Sequence, residues 1–133
     1  GDRLFINKIG MYISDINRLD VVVFKGKNSE HYIKRVVGMP GDRIHFKDNH
    51  LYINDQLVSE SYIIKDSHQR DMTLNTLYGY EIIPENYYFV LGDNRSNSMD
   101  SRQRSIGLVH ESQILGASNL VVWPLDRIQN VKE

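Results

Sequence analysis

Two stretches carry residue types that could do chemistry. The first is Tyr32-Ile33-Lys34-Arg35-Val36-Val37-Gly38. In an extended chain its side chains alternate, so Tyr32, Lys34 and Val36 share one face and Ile33, Arg35 and Val37 the other. Lys34 then stands between large apolar neighbours. Such surroundings strip hydration from an ammonium, favour the neutral amine and lower the lysine pKa. Moving it from about 10.4 towards about 8 would cost the fold about 3 kcal/mol. The result would be an amine able to accept a proton near neutral pH. The competing reading is a strand lysine whose stem lies on apolar surface while its ammonium reaches water. The second stretch is Gly92-Asp93-Asn94-Arg95-Ser96-Asn97-Ser98-Met99-Asp100-Ser101-Arg102. So many polar residues make a poor core strand. They suit a loop that caps its own backbone, or a hydrogen-bond network behind a reactive group. Asp93, Arg95, Asp100 and Arg102 are spaced to form charge-assisted pairs, on a surface rim or around a site.

The elements that must position these stretches read as β. Leu19 to Phe24 and His31 to Val37 are rich in β-branched and aromatic residues. The second run stops at Gly38-Met39-Pro40-Gly41-Asp42, a turn by composition. Arg43 to Lys47 alternates. Asp48-Asn49 and Asn54-Asp55 then read as turns between Arg43–Lys47, Leu51–Ile53 and Gln56–Val58, a meander of short hairpins. Residues 65–79 are polar and irregular and read as a loop. Tyr87 to Leu91 reads as a strand that delivers the polar stretch. Ile9 to Ile16 and Glu111 to Leu115 fit single helical turns. Leu120 to Leu125 fits a closing core strand, the alternative being Trp123 at a membrane-facing rim. The expectation is a mainly β domain of antiparallel sheets over 1–133, with about 43–90 as a hairpin-rich extension between the two stretches. A parallel βαβ fold would need crossover helices that the pattern does not offer.

Composition narrows the function classes. Sixteen Lys and Arg against seventeen Asp and Glu leave a net charge of −1 over 133 residues, which argues against a nucleic-acid partner. With no Cys there is no thiolate nucleophile, disulfide or Cys-ligated metal. The five His show no metal-binding spacing, so neither a metal nor another cofactor is expected. Apolar runs stop far short of the roughly 20 residues a membrane helix needs, so the chain as given reads as soluble. It opens at Gly1-Asp2-Arg3 with no initiator Met, which suggests a piece of a longer protein.

Lys34-Arg35-Val36-Val37-Gly38-Met39-Pro40-Gly41-Asp42 resembles the K-R-[IV]-[IV]-G-x-P-G-D box of bacterial type I signal peptidases, and Gly92 to Arg102 resembles their G-D-N-x-x-x-S-x-D-S-R box. Gly1 to Lys8 is similar to the G-D-x-[LV]-x-[VI]-x-K stretch that follows the family's nucleophile box. The order agrees, and the spacing of the boxes is that of the compact Gram-positive form. The resemblance implies a Ser/Lys endopeptidase that removes signal peptides from exported preproteins. Lys34 would be the general base, and Ser98 would hydrogen-bond and orient its amine. Arg35 would pair with Asp93, and Asp100 with Arg102, holding the loop under Lys34. Tyr32 and Ile33 would line the groove where an extended substrate adds as a strand.

The family's nucleophile box, S-M-x-P-T-L, has no counterpart in this chain, and its serine would fall upstream of Gly1. The chain taken alone would then carry the base without the nucleophile. A shortened chain, a cleavage product and a relative that has lost its serine remain three alternatives. The family also implies an N-terminal membrane anchor and a catalytic domain on the outer face of the cell membrane. Two further classes stand beside the protease: a non-catalytic peptide-binding pseudo-peptidase of the same fold, and the self-cleaving repressor proteases, against which the Gly92-Asp93-Asn94 box argues.

Overall fold

The site rests on a central β-ribbon. In a computed structural model, the described residues are 16–63 and 68–118, with the backbone of three short strands outside those ranges. In chain order the strands are β1 (Phe5–Ile6), β2 (Tyr12–Ile13), β3 (Val21–Lys25), β4 (His31–Gly38), β5 (Ile44–Lys47), β6 (His50–Ile53), β7 (Gln56–Leu57) and β8 (Met72–Thr73). Helix α1 (Leu74–Tyr78), β9 (Tyr87–Leu91), β10 (Val109–His110), a 3-10 turn at Glu111–Gln113, β11 (Ile114–Ala117) and β12 (Val131–Lys132) follow. The closing strand expected at Leu120–Leu125, with Trp123, lies outside the described residues, as does most of Gly1 to Lys8.

The larger sheet runs β10-β9-β4-β3-β11, with every neighbouring pair antiparallel. β9 pairs with β4 from Arg35 to Gly38, and β12 joins β4 at His31 and Tyr32 in parallel. The sheets are otherwise antiparallel, as the mainly β expectation had it. The smaller sheet runs β7-β6-β5-β8. Its two hairpin turns place Asp48, Asn49, Asn54 and Asp55 at φ of 52°, 66°, 53° and 67°. Two successive positive φ values match the right-handed twist of flanking strands, and Asn and Asp tolerate them best after Gly. β1 and β2 form a separate antiparallel pair, so part of Ile9 to Ile16 is strand rather than a helical turn.

The expected loop at 65–79 is corrected in its second half, where β8 leads directly into α1. Thr73 caps the helix, accepting from the Thr76 N–H at 3.0 Å while its own N–H donates to the Thr76 hydroxyl at 3.1 Å. Gly79 ends it at φ 77°. Only Leu74 of this helix is buried. Five residues are too few for a periodic apolar pattern to register.

Period-2 alternation divides the core. Tyr32 and Val36 of β4 meet Val22 and Phe24 of β3 and Tyr88 and Val90 of β9 in one cluster. Val37, Phe89 and Leu91 turn the other way and pack on Ile44, Phe46, Leu51 and Ile53 of the smaller sheet. Each such fully buried side chain contributes about 1.5–3 kcal/mol before conformational entropy is counted. The turn leaving β4 is closed by Asp42, which accepts from the Met39 N–H at 2.8 Å and the Asn54 amide at 3.1 Å and pairs with Arg18. Gly41 in that turn has φ 90°, which favours glycine.

Candidate active site

Lys34 lies mid-strand on β4, opposite Val22 of β3, and is 2% exposed. Its side chain is therefore buried and does not snorkel to water. Its Nζ donates to Ser98 Oγ at 3.1 Å. Ser98 approaches because Gly92 stands between them without a side chain. A Cβ at Gly92 would fall 2.0 Å from Ser98 Oγ and 3.5 Å from Lys34 Nζ.

The loop carrying Ser98 is held by buried charge. The Asp100 carboxylate has no exposed area. Its Oδ2 accepts from the Gly92 N–H at 3.0 Å, and its two oxygens take Arg102 Nε and Nη2 at 2.9 Å each. Arg102 also reaches the Arg95 carbonyl at 2.9 Å. The Ser101 hydroxyl accepts from the Val90 N–H at 2.9 Å, tying the loop back to β9. Tyr78 of α1 donates its hydroxyl to the Ser101 carbonyl. Burial, reinforced by the Asp100 carboxylate, pushes that hydroxyl up to about 12, so it remains a donor at neutral pH.

On the other face of β4, Arg35 donates Nε and Nη2 to the two Asp93 oxygens at 3.0 Å each, and Nη1 to the Leu19 carbonyl at 3.0 Å. The hydrogen bonds to Asp93 raise the Arg35 pKa above its ordinary value, against the opposing effect of burial. Lys34, Arg35, Asp93, Ser98 and Ile33 line one cleft of about 500 Å³, with Val21, Tyr62, Leu91, Gly92, Asn94 and Asn97. The arrangement presents a dry amine, a hydroxyl beside it and an open apolar wall.

Tyr32 is the exception among the residues expected at the groove. It is 5% exposed, stacks on Phe24 at 5.5 Å and receives the Asn28 amide on its hydroxyl at 2.8 Å. Its ring lies in the core cluster with Phe24 and Val36, whereas Ile33 lines the cleft beside Lys34. Among the described residues no three His, Asp or Glu side chains gather to hold a metal, and no helix is long and apolar enough to cross a membrane.

A family model described as signal peptidase, peptidase S26, matches residues 1–123. The chain belongs to the signal peptidase family. It is 43% identical to signal peptidase I P of Bacillus subtilis subsp. natto, over 98% of this chain and 72% of that protein. It is 40% identical to signal peptidase I T of Bacillus subtilis strain 168, over 99% and 70%. A crystal structure of a signal peptidase I from Enterococcus faecalis V583 superposes with a TM-score of 0.69 at 36% identity, covering 78% of this chain and 97% of that one.

Beside the cleft, Arg95 of the second box meets Glu60, and Glu60 meets Tyr62; Glu60 and Tyr62 lie outside both boxes. Arg95, whose side chain has no exposed area, donates Nε to the Gly92 carbonyl at 2.8 Å. Its Nη1 reaches Glu60 Oε1 and Gln69 Oε1, each at 3.1 Å, and its Nη2 pairs with Glu60 Oε2. Tyr62 donates its hydroxyl to Glu60 at 2.8 Å and lays its ring 4.5 Å from the Arg35 guanidinium. Glu60 and Tyr62 lie between β7 and β8 of the smaller sheet and meet the loop only through the fold. Sequence spacing carries no signal for such a pairing.

Proposed function

We propose that Lys34 is the general base of a Ser/Lys endopeptidase that removes signal peptides from exported preproteins at the outer face of the cell membrane. The observation that carries the reading is Lys34, 2% exposed, with its amine 3.1 Å from a hydroxyl. Desolvation favours its neutral form, which can take a serine proton as that oxygen attacks the substrate carbonyl. The C–O bond forms, and the carbonyl oxygen takes up the negative charge. The C–N bond then breaks, and the Lys34 ammonium returns its proton to the leaving amine. Water, deprotonated by the same lysine, releases the acyl group.

In this reading the attacking serine is N-terminal to Gly1, which the resemblance of Gly1 to Lys8 to the stretch after the family's nucleophile box supports. Ser98 then orients the amine, the pair Arg35–Asp93 keeps the two boxes in register, and the pair Asp100–Arg102 holds the Ser98 loop. An extended substrate lies along β4 with one side chain against Ile33. The 3.1 Å contact also favours a second reading, in which Ser98 itself attacks. Ser98→Ala separates the two in a preprotein cleavage assay on the full-length protein. Loss of one orienting hydrogen bond to a charged group, worth about 1.5–3 kcal/mol, leaves turnover about 10- to 100-fold slower. Loss as complete as that of a Lys34 variant would identify Ser98 as the nucleophile. Full-length protein that binds such substrates yet cleaves none would be the non-catalytic module.

Gly92→Ala is expected to act at the same point. The new Cβ displaces Ser98, and a shift of about 1 Å in a positioning group costs roughly 100-fold in rate. Unchanged kcat in the folded variant would show that the Lys34–Ser98 contact does not matter to turnover.

A further inference from the structure

We infer that Tyr62, which lies outside both boxes, is a specificity-determining wall of the substrate cleft. The inference rests on the cleft being the peptide-binding groove of the proposed function. Tyr62 lines the same cleft as Val21, Ile33 and Lys34. Its side chain is held at two points. Beneath it lies the Arg35 guanidinium, 4.5 Å from the ring centroid and itself held by both Asp93 oxygens and the Leu19 carbonyl. An aromatic face over a guanidinium is an attractive contact, stronger where water is excluded. At its far end the hydroxyl donates to Glu60, and Glu60 is clamped by Arg95, which also holds the Gly92 carbonyl of the Ser98 loop. Further along the segment the His68 N–H donates to Ser96 Oγ at 2.6 Å, and Gln69 supplies another acceptor to Arg95. The residues around Tyr62 are thus bonded to the loop that carries Ser98.

An extended peptide presents alternate side chains to alternate faces. One that enters beside Ile33 and Val21 meets the Tyr62 ring across the cleft. A ring held this firmly cannot swing aside for a larger side chain, so Tyr62 sets the upper size accepted at that one position. In an apolar pocket, a single methylene of room changes discrimination by about 10- to 200-fold.

The test uses the full-length protein and a set of preprotein peptides in which each residue near the cleavage site is in turn Ala, Leu or Phe. Cleavage is measured with the Lys34 side chain intact. Binding is measured by fluorescence anisotropy in the Lys34→Met background, where no peptide is consumed. Tyr62→Ala and Tyr62→Leu are expected to improve kcat/KM and binding for Leu or Phe over Ala at one position by tenfold or more. The other positions should stay unchanged. Tyr62→Phe should keep the parent preference, because the ring and not the hydroxyl is the wall. The thermal midpoint of each variant shows that it is folded, and Tyr62→Leu covers a Tyr62→Ala that is not. Unchanged size preference at every position in a folded variant, or no peptide binding at all, would overturn the assignment. A shifted binding preference without cleavage by the parent would keep this inference and remove the protease reading.

Discussion

Lys34→Met is expected to abolish preprotein cleavage while making the folded chain more stable. The two effects share one cause. A dry amine is a good proton acceptor because burial disfavours its charge, and the same burial opposes folding whenever the unfolded chain would hold the proton. Methionine fills similar volume, needs no hydrogen bond and removes that conflict. Removal of a general base that also serves as the acid to the leaving group lowers the rate by at least about 100- to 10,000-fold. The stability gain is expected to be about 1–2 kcal/mol, read as a thermal midpoint a few degrees higher. The gain depends on pH with a definite sign. A lysine whose folded pKa is depressed destabilises the fold fully below that pKa, and the penalty vanishes above the unfolded value of about 10.4. The parent should therefore gain stability relative to Lys34→Met as pH rises through that window, and the two midpoints should converge at its top. A Lys34→Met protein that is both active and less stable would refute the assignment.

Arg95→Ala is expected to cost about 3–5 kcal/mol, the range for removing one partner of a buried ion pair. The Arg95 side chain has no exposed area and Glu60 only 6%, so truncation strands a carboxylate away from water. It also frees the Gly92 carbonyl and the Gln69 side chain, which lose their bonds to the guanidinium. Total stabilities for single domains run to about 5–15 kcal/mol, so the loss is a large fraction of what holds the chain folded. Urea denaturation at neutral pH measures it. Replacing Glu60 by Leu in the same chain should recover part of the loss, because the stranded charge is then gone. A loss below about 1 kcal/mol, or none recovered by the second change, would mean that the pair does not anchor the loop.

What the sequence shows best is local. The alternation along His31–Gly38 follows from apolar spacing alone, and the structure buries Tyr32, Lys34 and Val36 together. The Asp48-Asn49 and Asn54-Asp55 turns follow from residues that accept positive φ. The Asp100–Arg102 pair is two residues apart, and its loop is readable as a self-bonding segment. The Arg35–Asp93 pair joins residues 58 apart and becomes visible only when the boxes are matched to a family. Glu60–Arg95 has no such guide. Arg95 stands out in the polar stretch as a residue able to form a charged pair, but Glu60 belongs to a connection in the other sheet, and nothing in the sequence singles it out from other exposed-looking acids. The same applies to Tyr62, one of eight tyrosines in a chain whose strands favour that residue. Tyr32 illustrates the opposite case. The alternation that places Lys34 in the dry interior places Tyr32 there too, and the periodic pattern outweighs its expected place in the groove.

The most direct test is the titration of the Lys34 amine itself in the full-length protein, followed by NMR of its labelled Nζ and Cε across neutral and alkaline pH. A midpoint well below the usual lysine range, moving further when Ser98 is changed, is the expected result. A midpoint near 10.4, the ordinary value for a lysine in water, would contradict the central claim that this side chain is kept neutral to accept a serine proton.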